Sequence, residues 1–157
     1  MKNIRVLGLM SGTSMDGLDC GLFDIYLSPD YQLKWTCLDF STITYSPNIR
    51  QMIIGIFSLD ENAIQNLNNQ LGQIYLSYVK DFLKGRKVDV IASHGQTISH
   101  EDGISTRQIG TPKDMYQEFQ IPIVHNVRQA DIDVGGNGAP LMPFLDWILF
   151  QNSPYDT

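Results

Sequence analysis

"LGLMSGTSMDGLDCGLFDI", residues 7–25, joins two apolar segments through a polar turn. The apolar segments predict one strand over residues 4–10 and a second over residues 18–27. The turn between them holds two glycines, three hydroxyl residues and Asp16, and it is longer and more polar than a tight hairpin requires. The two strands begin the fold, and the turn is the first candidate for a functional site.

A third strand, rich in Thr and aromatic residues, is predicted over residues 33–45. Because the linkers between the three strands are short, we expect them to pair as an antiparallel meander. Two helices should follow, a short one begun by Ser46-Pro47 and a longer one begun by a capping box from Ser58 to Glu61. The longer helix carries an apolar stripe at spacings of three and four residues: Ile64, Leu67, Leu71, Ile74, Tyr75, Tyr78 and Phe82.

Helices and strands alternate in the second half of the chain. The predicted elements are a buried strand over 88–92, the segment "SHGQTISH" (93–100), a hairpin arm over 106–109, a helix capped by Thr111-Pro112, the strand "IPIVHN" (121–126), a loop over 127–138 and a helix over 139–151. In the last helix, Trp147, Ile148 and Phe150 are expected in the core. This order predicts an α/β fold in which helices pack on a mixed sheet, built from the antiparallel three-strand meander plus parallel strands.

The composition argues against a nucleic-acid partner. Apolar residues make up 43% and charged residues 18% of the 157 residues, the balance of a folded soluble domain. The 11 basic and 17 acidic residues give a net charge of −6, and no Lys/Arg cluster could neutralise several phosphates, so no nucleic-acid partner is expected. A bound anion would instead need backbone N–H groups, a lone Arg or a metal ion.

The two cysteines, Cys20 and Cys37, fall on predicted strands. Two thiols are too few for a disulfide framework, and we interpret both as core residues in a reducing compartment. One apolar run, over residues 6–10, is too short to span a membrane, and another, over 139–150, is interrupted by a proline and an aspartate. Neither a membrane span nor an export signal is therefore expected.

The turn over residues 11–17 has the chemistry of an anion site. Its glycines permit positive φ, its hydroxyls can donate, and Asp16 can hold a cation, while successive backbone N–H groups form a nest for an anion. An ordinary polar hairpin loop is the alternative interpretation. The segment is not a P-loop, because the Gly-Lys-Ser/Thr pattern is absent, and a hydrolase using Ser14 is disfavoured because the second glycine of a nucleophile elbow is missing.

Three segments, in this order and spacing, resemble the anhydro-N-acetylmuramic acid kinases: "GLMSGTSMDGLD" (8–19), "SHGQTISH" (93–100) and "ADIDVGGNGAPLMPFLD" (130–146). That family belongs to the actin, sugar kinase and Hsp70 superfamily, so the resemblance implies a ribonuclease H-like (actin-like ATPase) lobe with a β-β-β-α-β-α-β-α core. It also implies a cytoplasmic enzyme that uses ATP and Mg²⁺ to open the ring of 1,6-anhydro-N-acetylmuramic acid, and it is compatible with a homodimer. A non-catalytic sugar- or nucleotide-binding lobe is the alternative.

The resemblance also implies site residues. The family's ATP-phosphate loop maps onto eight consecutive residues, with Asp16 as the candidate metal ligand: Gly12, Thr13, Ser14, Met15, Asp16, Gly17, Leu18 and Asp19. One departure from the wider superfamily is that the Asp usually found on the first strand is replaced here by an apolar position near Leu9. Carboxylate chemistry at this turn is therefore expected from Asp16 or Asp19.

The candidate sugar ligands lie in the second segment and in or just before the third. His94, Gln96 and Thr97 offer groups suited to sugar hydroxyls, although a single His after an apolar strand is often only structural, and the three histidines lack the spacing of a zinc site. Arg128 can clamp a carboxylate such as that of the substrate's lactyl group, the alternative being a surface ion pair. Asp131 can accept from a sugar hydroxyl.

One part of the family pattern is missing. Members of the family are longer, and the carboxylate taken as their general base lies in an Asp-Thr-Gly-Pro-Gly segment that this sequence lacks. The terminal "YDT" (155–157) lacks the Gly-Pro-Gly, so Asp156 is not assigned as catalytic. We therefore expect residues 1–157 to be the N-terminal lobe of a two-lobe kinase, with the catalytic base beyond Thr157.

Overall fold

The computed structural model describes residues 3–29 and 32–151. These residues form six strands and five helices, with a 3-10 turn, Gly55–Ser58, after the first helix. In chain order the elements are β1 (Ile4–Ser11), β2 (Gly17–Leu27), β3 (Leu33–Thr44), α1 (Pro47–Ile54), α2 (Glu61–Leu83), β4 (Val90–Glu101), β5 (Ser105–Ile109), α3 (Lys113–Phe119), β6 (Ile123–Val124), α4 (Val127–Asp133) and α5 (Leu141–Phe150).

The terminal segment "YDT" lies outside the described residues. This segment includes Asp156, to which no catalytic role was assigned. It ends at Thr157, beyond which the catalytic base is expected. The structure therefore does not test the expectation that the base lies beyond Thr157, and that expectation stays a prediction.

The strands form one mixed sheet in the order β3-β2-β1-β4-β5, with β6 also paired to β4. The first three strands are antiparallel, β1 runs parallel to β4, and β4 runs parallel to β6. The predicted mixed α/β fold and its antiparallel meander are thus confirmed. Because β1, β4 and β6 are parallel neighbours, their carboxyl ends meet at one edge of the sheet, where α/β proteins commonly bind ligands.

One face of the sheet packs against the helices and holds the core. On β2, Leu18, Cys20 and Leu22 are buried on that face, as their alternation predicted. The stripe of α2 faces them, with Leu67, Leu71 and Tyr75 buried. The core of the described residues also includes Leu7, Leu9, Tyr45, Ile53, Ile56, Val79, Phe82, Leu83, Ile91, Ile109 and Met115.

The opposite face of the sheet is more open, and one prediction about the burial of the last helix is wrong. Helix α5 has no buried residue, and Trp147 and Phe150 are 50% and 63% exposed. The expectation that Trp147, Ile148 and Phe150 belong to the core is therefore wrong for the described residues, because none of the elements among them covers this helix. The burial of Cys20 is confirmed, but Cys37 is exposed on the outer strand β3.

Two predicted helix starts have different outcomes. Ser46 caps α1, accepting from the backbone N–H of Ile49, and Pro47 follows in the first turn. The capping box at Ser58 is wrong, because the 3-10 turn extends through Ser58, whose hydroxyl bonds back to the carbonyl of Gly55. Asp60 is instead the N-cap residue of α2. Its backbone is extended, and its carboxylate accepts a hydrogen bond from Ala63 N–H.

Two segments near the candidate site also differ from the prediction. Strand β4 does not stop at residue 92 but continues through "SHGQTISH" to Glu101, since its second half pairs with the hairpin arm β5. The segment over 127–138 is not all loop, because its first seven residues form α4 before Gly135 turns the chain at φ +90°. No helix in the described part of the chain combines the length and apolarity needed to cross a bilayer.

Candidate functional site

The polar turn lies between β1 and β2, beside the middle of β4. Ser11 at the end of β1 is the register partner of Gln96 on β4. The side chains of Thr13, Ser14 and Asp16 are exposed, whereas Met15 is partly buried against the core. The turn therefore presents its hydroxyls and its carboxylate at the edge where the parallel strands end.

Backbone contacts define the shape of the turn. Met15 N–H donates to the carbonyl of Gly12 at 3.1 Å, and Met15 itself adopts a left-handed φ of +56°. On the far side, Tyr45 N–H donates to the carbonyl of Asp16 at 2.9 Å. At Gly17 a Cβ would collide with the carbonyl oxygen of Ile43, so only glycine allows β2 to begin this close to β3.

The two carboxylates of the segment are in different situations. Asp19 Oδ1 accepts from the hydroxyl of Thr42 at 2.6 Å. No hydrogen bond or ion pair from any described residue engages the carboxylate of Asp16, which is exposed. Asp16 is therefore the one of the two whose carboxylate oxygens are both available to a ligand, whereas Asp19 has one oxygen engaged. Leu18, between them, is 1% exposed, so only its backbone could contact a nucleotide.

Metal ligands are sparse in the described residues, where no three His, Cys, Asp or Glu side chains are grouped closely enough to hold an ion. Mg²⁺ is commonly held by one or two carboxylates together with phosphate oxygens and water. The free carboxylate of Asp16 on an exposed turn suits that arrangement, because the remaining ligands would come from the nucleotide.

The fold brings His94 and Arg128 together. Such proximity is required if both residues contact one sugar, as predicted. Arg128 Nε donates to His94 Nε2 at 2.8 Å, and Arg128 Nη1 donates to the carbonyl of Gly138 at 2.7 Å. His94 Nδ1 lies 2.8 Å from the carbonyl of Gly95. Neither Asp131 nor Asp133 forms an ion pair with Arg128 among the described residues, so the alternative of a surface ion pair is not what the structure contains.

These contacts define the protonation state of His94. Guanidinium groups only donate, so Nε2 must be an acceptor and the proton lies on Nδ1, which donates to Gly95. Burial of the ring lowers the pKa of His94, and the positive charge of Arg128 lowers it further. His94 is therefore a neutral imidazole whose two nitrogens are both engaged.

Gln96 and Thr97 differ in how far they are available to a ligand. Gln96 has no exposed surface, and both ends of its amide are hydrogen-bonded inside the protein. Thr97 is 9% exposed and receives a long contact of 3.4 Å from Gln108 Nε2. The structure does not present Gln96 to a sugar, and its polar groups instead serve the turn at Gly12.

Asp131 organises the Gly-rich loop after α4. Its Oδ2 accepts from Gly138 N–H at 2.8 Å, and its backbone carbonyl accepts from Gly136 N–H at 2.8 Å. A Cβ on Gly136 would collide with this carboxylate. One oxygen of Asp131 is thus committed to the loop, while direct contact with a sugar stays a prediction for Asp131, His94, Thr97 and Arg128.

Two cavities flank His94. One, of about 340 Å³, lies on the open face of the sheet and is lined by apolar residues together with Asp19 and His94. The other, of about 190 Å³, is polar and includes Gln108, His125 and Asn126. Sequence reasoning missed these three, although "IPIVHN" ends beside β4 at the carboxyl edge of the sheet, which is the signal that could have identified His125 and Asn126.

Curated relatives of this chain share one description. The chain is 35% identical over 161 residues to the anhydro-N-acetylmuramic acid kinase of Bacillus thuringiensis subsp. konkukian, and 35% identical over 161 residues to that of Bacillus anthracis. Each alignment covers 94% of this chain and 42% of the relative, so the chain spans less than half the length of these relatives. A structure of Thermus thermophilus RuvC aligns with a TM-score of 0.41 and 12% identity, over 94% of this chain and 79% of that one.

The family profile gives the same result over nearly the whole chain. The profile of the anhydro-N-acetylmuramic acid kinases matches residues 4–157, which include the turn, the β4 segment and the Gly-rich loop. The element order, in which three strands precede alternating helices and strands, is also compatible with the core that the sequence resemblance implied. The chain belongs to the anhydro-N-acetylmuramic acid kinase family.

Proposed function

We propose that this chain is the N-terminal, phosphate-binding lobe of an anhydro-N-acetylmuramic acid kinase. The complete protein, including any sequence that follows Thr157, would use ATP and water to convert 1,6-anhydro-N-acetylmuramic acid into N-acetylmuramic acid 6-phosphate. Water loses a proton to a base and supplies the new hydroxyl at C1, and the C1–O6 bond breaks. O6 receives the γ-phosphoryl group as the bond between that group and ADP breaks. Such an enzyme would act in the cytoplasm and return cell-wall sugar to metabolism.

The exposed turn with its free Asp16 carboxylate carries the proposal. Thr13 and Ser14 offer hydroxyl donors, and Met15 adopts the left-handed conformation that also occurs in anion nests. Phosphoryl transfer depends mainly on positioning and on stabilising charge at the phosphates. A phosphate-binding turn of fixed shape is the part of that machinery which this lobe would supply.

Asp16 would hold the Mg²⁺ that accompanies ATP. A bound Mg²⁺ would neutralise negative charge on the phosphates during transfer. Asp19 is the weaker candidate because Thr42 already donates to its carboxylate. The protein's own contribution is then to hold the Asp16 carboxylate on a turn that is fixed at Gly12 and at Tyr45.

Arg128 and His94 would form one wall of the sugar site. Arg128 lies where α4 approaches β4, and its charge is not neutralised by any carboxylate among the described residues. A planar guanidinium binds carboxylates through paired hydrogen bonds, and the lactyl group of the sugar carries a carboxylate. His94 would orient the guanidinium from the sheet side.

The test is a product analysis with the complete protein, ATP, Mg²⁺ and the anhydro sugar. We expect a product heavier than the substrate by one phosphoryl group and one water, formed only when ATP is present. N-acetylmuramic acid, which has no anhydro ring, is the matched control substrate and should give far less product. Binding of ATP or sugar by calorimetry without any product would instead favour the non-catalytic binding lobe.

A further inference from the structure

A row of buried hydrogen bonds runs from helix α2 to the polar turn. The hydroxyl of Tyr75 lies 2.7 Å from that of Tyr45, which lies 2.8 Å from Ser11 Oγ. Ser11 Oγ lies 2.5 Å from Gln96 Oε1, and Gln96 Nε2 donates to the carbonyl of Gly12 at 2.9 Å. The four side chains are between 0% and 3% exposed, so water does not compete for these bonds.

The direction of each bond in this row is fixed by chemistry. The carbonyl of Gly12 can only accept, so the amide of Gln96 must point its Nε2 there and its Oε1 towards Ser11. Ser11 has one hydroxyl proton, and it is used on Gln96 Oε1, so Tyr45 must donate to Ser11. By the same reasoning Tyr75 donates to Tyr45. A flipped Gln96 amide would place two acceptors against each other.

Both phenols keep their protons under ordinary conditions. Burial raises the pKa of Tyr45, and it raises the pKa of Tyr75 well above the usual value. Neither phenol in the row therefore loses its proton near neutral pH.

The carbonyl of Gly12 is the point where this row meets the turn. It accepts from Gln96 Nε2 and also from Met15 N–H, so the bond that closes the turn and the bond that ties it to the sheet share one oxygen. A Cβ on Gly12 would have only the Ser14 hydroxyl within 4 Å, so the space beside the Gly12 Cα is open. Without the amide of Gln96, nothing else among the described side chains would hold this carbonyl.

We propose that Ser11, Tyr45, Tyr75 and Gln96 are positioning residues that fix the Gly12 carbonyl and thereby the shape of the phosphate-binding turn. The proposal rests on the proposed function, because the turn is taken as the nucleotide site. Gln96 then acts on ATP through the turn, and not on the sugar by contact. Ser11 is the key member, since it is the only donor to Gln96 Oε1 among the described residues.

The first experiment measures kinetics in the complete protein. Ser11→Ala and Gln96→Met should each raise the KM for ATP about tenfold, the factor expected for one lost buried hydrogen bond, and leave the KM for the sugar within about twofold. Tyr75→Phe, which removes only the most distant donor, should have a smaller effect on the same constant. Val79→Ala is the matched control, because Val79 is fully buried on the same helix and has no polar group.

The second experiment does not depend on activity. Hydrogen exchange of the backbone over residues 11–19 should speed up in Ser11→Ala and Gln96→Met, and should be unchanged in Val79→Ala relative to the rest of the protein. Equal exchange in all variants would overturn the proposal, and so would equal increases in both KM values. Faster exchange in a protein that does not turn over ATP would support the anchoring of the turn while rejecting the kinase function.

Discussion

Arg128 Nε donates to His94 Nε2 at 2.8 Å, and this bond joins helix α4 to the middle of strand β4. The two residues are 34 positions apart. His94 lies in the segment 93–100, and Arg128 lies two residues before the segment 130–146. Through Nη1 the same Arg128 also holds the carbonyl of Gly138. One guanidinium thus links the sheet, the helix and the Gly-rich loop, and it fixes His94 as the tautomer protonated at Nδ1.

The first prediction concerns the titration of His94. Because burial and the charge of Arg128 both lower its pKa, His94 should titrate below the ordinary value of 6.5. Nitrogen-detected NMR of the imidazole should show the proton on Nδ1 at neutral pH. Arg128→Gln should raise the pKa of His94, because it removes the positive charge that lowers it beyond the effect of burial.

The same shift predicts how stability depends on pH. The unfolded chain takes up a proton at His94 at a higher pH than the folded chain does, so the contribution of His94 to stability is complete above pH 6.5 and is lost as the pH falls through the folded pKa. His94→Gln should therefore flatten the fall in unfolding free energy between pH 7.5 and pH 5. Asp24→Asn should keep that fall, because the lowered pKa of Asp24 acts in a more acidic range. A His94 that titrates at or above 6.5 would contradict both expectations.

The second prediction separates the two carboxylates of the turn. Asp16→Asn should reduce turnover of the complete protein at saturating Mg²⁺ by well over threefold, since a threefold change corresponds to less than about 1 kcal/mol. Asp19→Asn is the matched control and should cost less, because Asp19 is engaged by Thr42. The metal assignment is wrong if Asp16→Asn stays within threefold of the unchanged protein.

The third prediction concerns recognition of the lactyl carboxylate. A lysine at position 128 cannot donate to His94 and Gly138 at the same time and also fork onto a carboxylate. Arg128→Lys should therefore raise the KM for the anhydro sugar about tenfold, the range of one charged hydrogen bond. The KM for an analogue without the lactyl acid should rise much less. Equal increases for both compounds would mean that Arg128 only supports the structure.

The alternation and spacing of apolar residues along the chain predicted the strands and the long helix. Alternation placed Leu18, Cys20 and Leu22 in the core, and the three-and-four spacing identified α2. The start of α2 was misplaced because Ser58 belongs to the preceding 3-10 turn, whose extent depends on packing and not on the capping motif. Residue Asp60, two positions later, has the same capping chemistry.

The site was predictable in position but not in its internal roles. The end of β1 and the β4 segment were recognised because polar residues follow apolar strand residues at one edge of the sheet. The role of Gln96 could not be predicted, because its partners Ser11 and Gly12 lie more than 80 residues away and meet it only through the parallel pairing of β1 and β4. Tyr45 and Tyr75 looked like ordinary core residues, since their hydroxyl contacts exist only in the folded protein.

The fourth prediction tests close packing between α2 and the start of α3. Gly72 is inside α2, where alanine is the better helix former by about 1 kcal/mol. A Cβ on Gly72 would collide with the carbonyl oxygen of Thr111, however, and forced overpacking commonly costs about 1–3 kcal/mol. Gly72→Ala should therefore lower the free energy of unfolding in urea.

Gly55→Ala is the control for that measurement. Gly55 has a helical φ of −68°, and a Cβ there would meet nothing within 4 Å. This change should leave stability unaltered or raise it by about 0.4–1 kcal/mol, because alanine has less freedom in the unfolded chain. If both variants gained stability equally, the close approach at Thr111 would be unimportant.

The fifth prediction is that residues 1–157 alone will not phosphorylate the sugar. Attack by water needs a base in reach of the nucleophile, and two candidate bases in this lobe, His94 and Asp131, already have hydrogen-bond partners. His94 accepts from Arg128 at Nε2 and donates from Nδ1, and Asp131 holds Gly138 N–H.

Asp16, the carboxylate that remains free, is assigned to the metal, so the base is expected from sequence beyond Thr157. The chain spans 42% of its relatives, and the apolar side chains of α5 remain exposed, as expected if further sequence packs against that helix. The measurement is an incubation of the 157-residue chain with ATP, Mg²⁺ and 1,6-anhydro-N-acetylmuramic acid, with the complete protein as the positive control. Sugar 6-phosphate above the level without protein would show that a base exists within these residues, and His94→Gln, Asp131→Asn and Asp133→Asn would then identify it.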